Sequence, residues 1–235
     1  MGSKKTKKKK RKKKKGQSIP TKNDISKRII LLLNSQSIDA WIQAYNLIRK
    51  WTPEDINTFD LFDEYFDLEK HEIFINDFLY DLDTEINSHG LDDLNFMARR
   101  AEISKWVYTH FSGEGELNLG NFRNYEAESM WEIGKIEEAK KLFEELIETF
   151  PNFAYGYITY GDQYWTSDWS YQNGADYDRA EAIYRTALKN EELDYRGDVE
   201  DTLDELIKEK NNPKERLKIE KYRLERIQKR KALVK

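Results

Sequence analysis

The three histidines, His71, His89 and His110, are the first candidates for metal or acid–base chemistry, and they lie far apart along the chain. His71-Glu72 opens like a zinc-protease helix, in which a second histidine one turn on completes the metal site, but that position is Ile75. Gly156 and Gly161 have the spacing of a phosphate-cradling loop. The Lys and Ser/Thr that should follow are replaced by Asp162 and Gln163, so a phosphate would meet a carboxylate. The Asp-, Asn- and Gly-rich stretch 165–176 suggests calcium. Setting Gly174 on the loop glycine puts Trp169 at the first ligand position, and an indole offers no oxygen. Glu137-Glu138 and Glu144-Glu145 alternate with Lys140 and Lys141 at helical spacing, as a solvated face does. Cysteine is absent, which removes thiolate metal sites, a thiol nucleophile and disulfides. No nucleophile, base and orienting group come together, so we expect a non-catalytic protein with no cofactor and no metal.

Any binding chemistry must then come from charge and aromatic rings. The net charge of −4 in 235 residues conceals a segregation: residues 1–28 sum to +13, residues 29–207 to −25, and residues 208–235 to +8. The six Trp, 14 Tyr and 11 Phe imply an aromatic-rich core. Nothing approaches the ~18 consecutive apolar residues of a membrane span. The short apolar run at 29–33 behind the basic block lacks the length and cleavage site of a secretory signal. A cytoplasmic setting is the expectation.

The elements that would position these groups read as helices throughout. Asp24 suits an N-cap ahead of Ile25, Ile29, Ile30 and Leu33. A second helix fits 38–51 and must stop before Pro53. Pro53-Glu54-Asp55 reads as the start of the next, since proline and acids suit a first turn. Further helices fit 69–87 and 91–111. No segment alternates as a strand would.

From about Gly120 two segments align with each other. Ala139, Phe143 and Leu146 step by four and three, as do Ala180, Tyr184 and Ala187, while Ala127 and Gly161 lie 34 residues apart. Ala139 and Ala180 lie 41 apart, so seven extra residues separate the helices of the second copy. With Pro151 closing the first copy, this pattern resembles the tetratricopeptide repeat, a helix–turn–helix unit of ~34 residues. The resemblance implies an all-α, right-handed α-solenoid of antiparallel helix pairs. Its divisions are a disordered Lys-rich tail (1–22), a degenerate helical-pair region (23–119), two repeats with an insertion near 165–176 (120–190), and a capping helix with a basic terminal helix (191–235).

The resemblance also implies an adaptor or scaffold that binds a peptide or helix in a concave groove lined by the first helix of each pair. Mapped here, that groove comprises Asn121, Asn124, Glu128, Trp131, Tyr155, Ile158, Asp162 and Trp165. Glu128 and Asp162 favour a basic or aromatic-anchored segment over an acidic one. The two tryptophans suit burial between helices equally well. A second surface is the block Lys4, Lys5, Lys7, Lys8, Lys9, Lys10, Arg11, Lys12, Lys13, Lys14 and Lys15, fit for RNA, DNA, a ribosome or another anionic surface. Met1-Gly2-Ser3-Lys4-Lys5-Thr6 also fits an N-myristoylation pattern, with the block as its second membrane signal.

Overall fold

A computed structural model describes residues 20–35 and 37–233; the lysine block and the myristoylation pattern lie outside the described residues. Twelve helices and one 3₁₀ turn form the described chain, and no strand occurs among the described residues. The amino-terminal half comprises α1 (Lys22–Leu33), α2 (Ile38–Trp51), α3 (Phe59–Phe66), the 3₁₀ turn Leu68–His71, α4 (Ile75–Gly90) and α5 (Leu94–His110). The carboxy-terminal half comprises α6 (Glu116–Glu132), α7 (Ile136–Thr149), α8 (Ala154–Asp162), α9 (Asp168–Asn173), α10 (Tyr177–Ala187), α11 (Arg196–Asn211) and α12 (Pro213–Leu233).

Several boundaries differ from the sequence expectation, each for a local reason. Helix α1 is capped by Thr21, not Asp24: the Thr21 hydroxyl accepts the Asp24 N–H at 3.2 Å, and Asp24 accepts the Thr21 N–H at 3.0 Å in return. Pro53 starts no helix. Thr58 caps α3 by accepting the Leu61 N–H at 3.3 Å, and Asn57 gives its carbonyl to the Gly113 N–H at 3.0 Å. The expected helix 69–87 breaks at Glu72, which takes left-handed backbone at φ 55°, as Asp67 does at φ 56° just ahead of the 3₁₀ turn. Helix α4 then starts afresh at Ile75, whose N–H donates to the buried Asp63 at 3.0 Å. The insertion is structured too: Ser167 caps α9, accepting the Ser170 N–H at 3.2 Å.

The repeat region follows the pattern of its small and aromatic residues. Ala139, Phe143 and Leu146 are buried along α7, and Ala180, Tyr184 and Ala187 along α10. Helix α7 ends at Thr149, ahead of Pro151. Helix α6 packs on α5 and α7, α8 on α10, and α11 on α8 and α10. Helix α12 packs on α9 and α11. Two aromatic-rich cores result. One runs from Ile25 to Phe122, the other from Ala127 to Leu206, and α6 contributes to both.

Candidate interaction groove

Helices α6, α8 and α11 each carry a row of side chains at the spacing of one helical face. On α6 the row is Asn121, Asn124 and Glu128; on α8 it is Tyr155, Ile158 and Asp162; both step by three and four residues and so keep to one helical face. Helix α11 adds Asp198, Thr202 and Glu205, stepping by four and three. Side-chain bonds tie members of the rows to neighbouring helices. Asn121 donates to the Tyr80 hydroxyl of α4 at 2.9 Å, and Asn124 donates to Thr159 of α8 at 2.9 Å. Tyr155 donates to Asp198 of α11 at 2.8 Å. Ile158, half-buried, packs on the second core.

Each charged member is held differently. Glu128 pairs with Arg100, whose side chain is only 3% exposed. The same guanidinium grips Asp83 of α4 through two bonds of 2.8 and 2.9 Å and lies 4.8 Å from the centroid of the Tyr125 ring. Two carboxylates thus share one cation, and the surplus negative charge sits at half-buried Glu128. Asp162 accepts from the Tyr184 hydroxyl at 2.5 Å and from the Trp165 indole at 3.2 Å. Burial pushes its carboxyl up to about 6; those two hydrogen bonds oppose the rise, and Glu128 and Glu205 add to it. Helix α8 packs on both α6 and α11, so Glu128, Asp162 and Glu205 stand on three contiguous helices.

The tryptophans belong elsewhere. Trp131, 1% exposed, lies edge-on to Tyr164 and Trp169 at 5.1 and 5.7 Å, so it ties the insertion to α6. Trp165 is buried and donates also to Tyr184 at 2.8 Å. Both are core residues rather than exposed anchors. Asn124 is likewise buried, while Asn121, Glu128, Tyr155, Ile158 and Asp162 keep part of their surface. The α11 row was read from the sequence only as a cap; its signal was the acidic spacing of Asp198 and Glu205 on the repeat's own face period.

The turn between α6 and α7 has the left-handed Gly134, φ 83°, and α7 presents its small and aromatic stripe to the core. Residues 125–152, spanning this pair, match the family model of the tetratricopeptide repeat. The chain carries a tetratricopeptide-like repeat over this segment. No curated protein and no solved structure matches the chain. The repeat and the stacked all-helical fold are in general those of a protein–protein interaction module. Among the described residues no group of His, Asp or Glu is arranged to hold a metal, and no helix is long and apolar enough to cross a membrane.

The half-buried acid Asp162 gives the tetratricopeptide-like region a measurable pH signature. Because the folded Asp162 carboxyl titrates near 6 against an ordinary 3.8, the folded state holds its proton more tightly than the unfolded chain. Its stabilising contribution is full below about pH 4 and is lost as pH rises through about 6. Asn at this position keeps an acceptor oxygen for Tyr184 and Trp165 but cannot ionise. The stability of Asp162→Asn relative to the parent is therefore expected to rise by about 1–3 kcal/mol between pH 4 and pH 7.5. Urea unfolding at the two pH values measures it, and a difference that does not change with pH would remove the assignment.

Proposed function

We propose that the chain is a non-catalytic adaptor whose first-helix face, from α6 through α8 to α11, takes an extended basic segment of another protein. The observation that carries this reading is that acids of three contiguous helices, Glu128 of α6, Asp162 of α8 and Glu205 of α11, stand in rows of one-face spacing, with α8 packed on both α6 and α11. Arg100, the cation beside Glu128, is fully engaged by two carboxylates. The half-buried Tyr155 and Ile158 provide apolar contact between the charged layers. A lysine-bearing segment gains from both, whereas an acidic one meets repulsion at each step.

The test is fluorescence anisotropy of the full chain with short labelled peptides in which alanine alternates with either lysine or glutamate. The lysine peptide is expected to bind and the glutamate peptide not. Glu128→Gln combined with Glu205→Gln is expected to weaken the lysine peptide about tenfold at low salt, since exposed charge pairs each give a few tenths of a kcal/mol to about 1 kcal/mol. Equal binding of the two peptides would refute the reading.

A further inference from the structure

At the amino end of the α8 and α11 rows, Tyr195 projects into solvent with 56% of its surface exposed. Its backbone is left-handed at φ 50°, ψ 36°, a conformation glycine adopts freely and a tyrosine only under constraint. The constraint is visible. The Asp194 N–H donates to the Asn152 carbonyl at 2.9 Å, and the Asn190 amide donates to the Pro151 carbonyl and the Asn152 side chain at 3.0 and 2.8 Å. The loop before α11 is thereby fastened to the loop before α8. The result is a tilted ring pair, Tyr195 on Tyr155 with centroids 5.4 Å apart, and Tyr155 is oriented by its 2.8 Å bond to Asp198.

Elsewhere this chain covers tyrosine faces with its own cations: Tyr65, Tyr108, Tyr125, Tyr164 and Tyr171 each have a Lys or Arg 4.2–5.1 Å from the ring centroid. The pair of exposed Tyr195 and half-buried Tyr155 has no such cation among the described residues. The neighbouring Arg196 is turned away, bonded to Glu200 at 3.0 Å and to the carbonyls of Asn190 and Leu188 at 3.2 and 2.9 Å. Two helix amino ends lie close by, each equivalent to about +0.5 charge. The full negative charges of Asp198, bonded to Tyr155, and Asp194, next to Tyr195 in the chain, together exceed them.

We infer that Tyr155 and Tyr195, with Asp198 beside them, form a seat for one lysine or arginine side chain of the basic segment, its cation against the ring faces. This rests on the groove reading for the partner's class, and it adds a fixed register: a cation at the α8–α11 amino end. The experiment uses the full chain and the labelled lysine–alanine peptide. Tyr195→Phe, which keeps the ring, is expected to bind as the parent does. Tyr195→Gly removes the ring and relieves the left-handed strain, so its melting temperature should hold or rise while peptide affinity falls about three- to fivefold. If Tyr195→Gly binds as tightly as the parent while Glu128→Gln with Glu205→Gln binds weakly, the seat is wrong and the groove stands. If the parent fails to bind the lysine peptide, both fall.

Discussion

Replacing Arg100 with methionine is expected to cost about 3–5 kcal/mol, because it strips the counter-ion from a buried carboxylate rather than merely losing a contact. Asp83 is 9% exposed in its side chain and receives two guanidinium bonds; burial already raises its carboxyl above the ordinary range, with Arg100 pulling the other way. Without the arginine, Asp83 either stays charged without a partner or takes up a proton. Its folded carboxyl then titrates higher still, so the variant's deficit is largest above neutral pH and shrinks as pH falls toward about 4. Changing both members of the buried pair, Asp83→Leu with Arg100→Met, leaves no unpaired charge at the buried Asp83 position and is expected to recover most of the loss. The recovery is limited by Glu128, whose partner is also gone, although its partial exposure lets water take over. Urea unfolding of the two single variants and the double variant measures the coupling. A single-variant loss below about 1 kcal/mol would mean that the ion cluster is not a structural joint between α4, α5 and α6.

The second large effect is expected at Gly161, from a single added methyl. A β-carbon there would lie 2.1 Å from a ring carbon of Tyr184 and 2.5 Å from the next. Tyr184 has no exposed surface, and its hydroxyl is fixed between Asp162 and Trp165 at 2.5 and 2.8 Å, so the ring cannot retreat without breaking both bonds. Alanine favours helix over glycine by about 1 kcal/mol, which partly offsets the clash. The net cost of Gly161→Ala is still expected to be about 2 kcal/mol, at the upper part of the range for overpacked cores after that offset. Thermal unfolding checks it, and adding Tyr184→Leu should reduce the increment, since the obstructing ring is then absent. An unchanged melting temperature for Gly161→Ala would show that α8 and α10 do not approach as closely as described.

Gly161 also marks where sequence reasoning reached and where it stopped. The matching steps of Ala139, Phe143 and Leu146 with Ala180, Tyr184 and Ala187 located α7 and α10, because a stripe at helical period is an imprint of burial that needs no knowledge of the partner. The partner is harder, because spacing along one helix does not say which side chain of the other meets Gly161; a β-carbon built there meets Tyr184, whose hydroxyl is held by Asp162. Helix starts were missed where a threonine hydroxyl did the capping, as at Thr21 and Thr58, beside more conspicuous signals at Asp24 and Pro53. The break at Glu72 carried no glycine to announce it. Of the proposed groove, the one-face rows on α6 and α8 were legible from the repeat period. The row on α11 was not, because α11 lies beyond the segment that resembles the repeat. The burial of Trp131 depends on the insertion, since Trp169 of α9 covers it, and a seven-residue excess gives length without direction.

The two cores meet within a single rod. Phe122 of α6 is sealed in the first and Trp131 in the second, nine positions apart, or about 13 Å along an α-helix. Neither half of the molecule can open while the other keeps its full complement of walls: fraying from the amino end eventually bares the Phe122 flank of α6, and fraying from the carboxy end bares its Trp131 flank. In a stack whose stability is a chain of nearest-neighbour terms, α6 is the link through which a disturbance on one side is felt on the other. A partner pressing on the Glu128 face of α6 would therefore stiffen helices it never touches, from α4 on one side to α9 on the other.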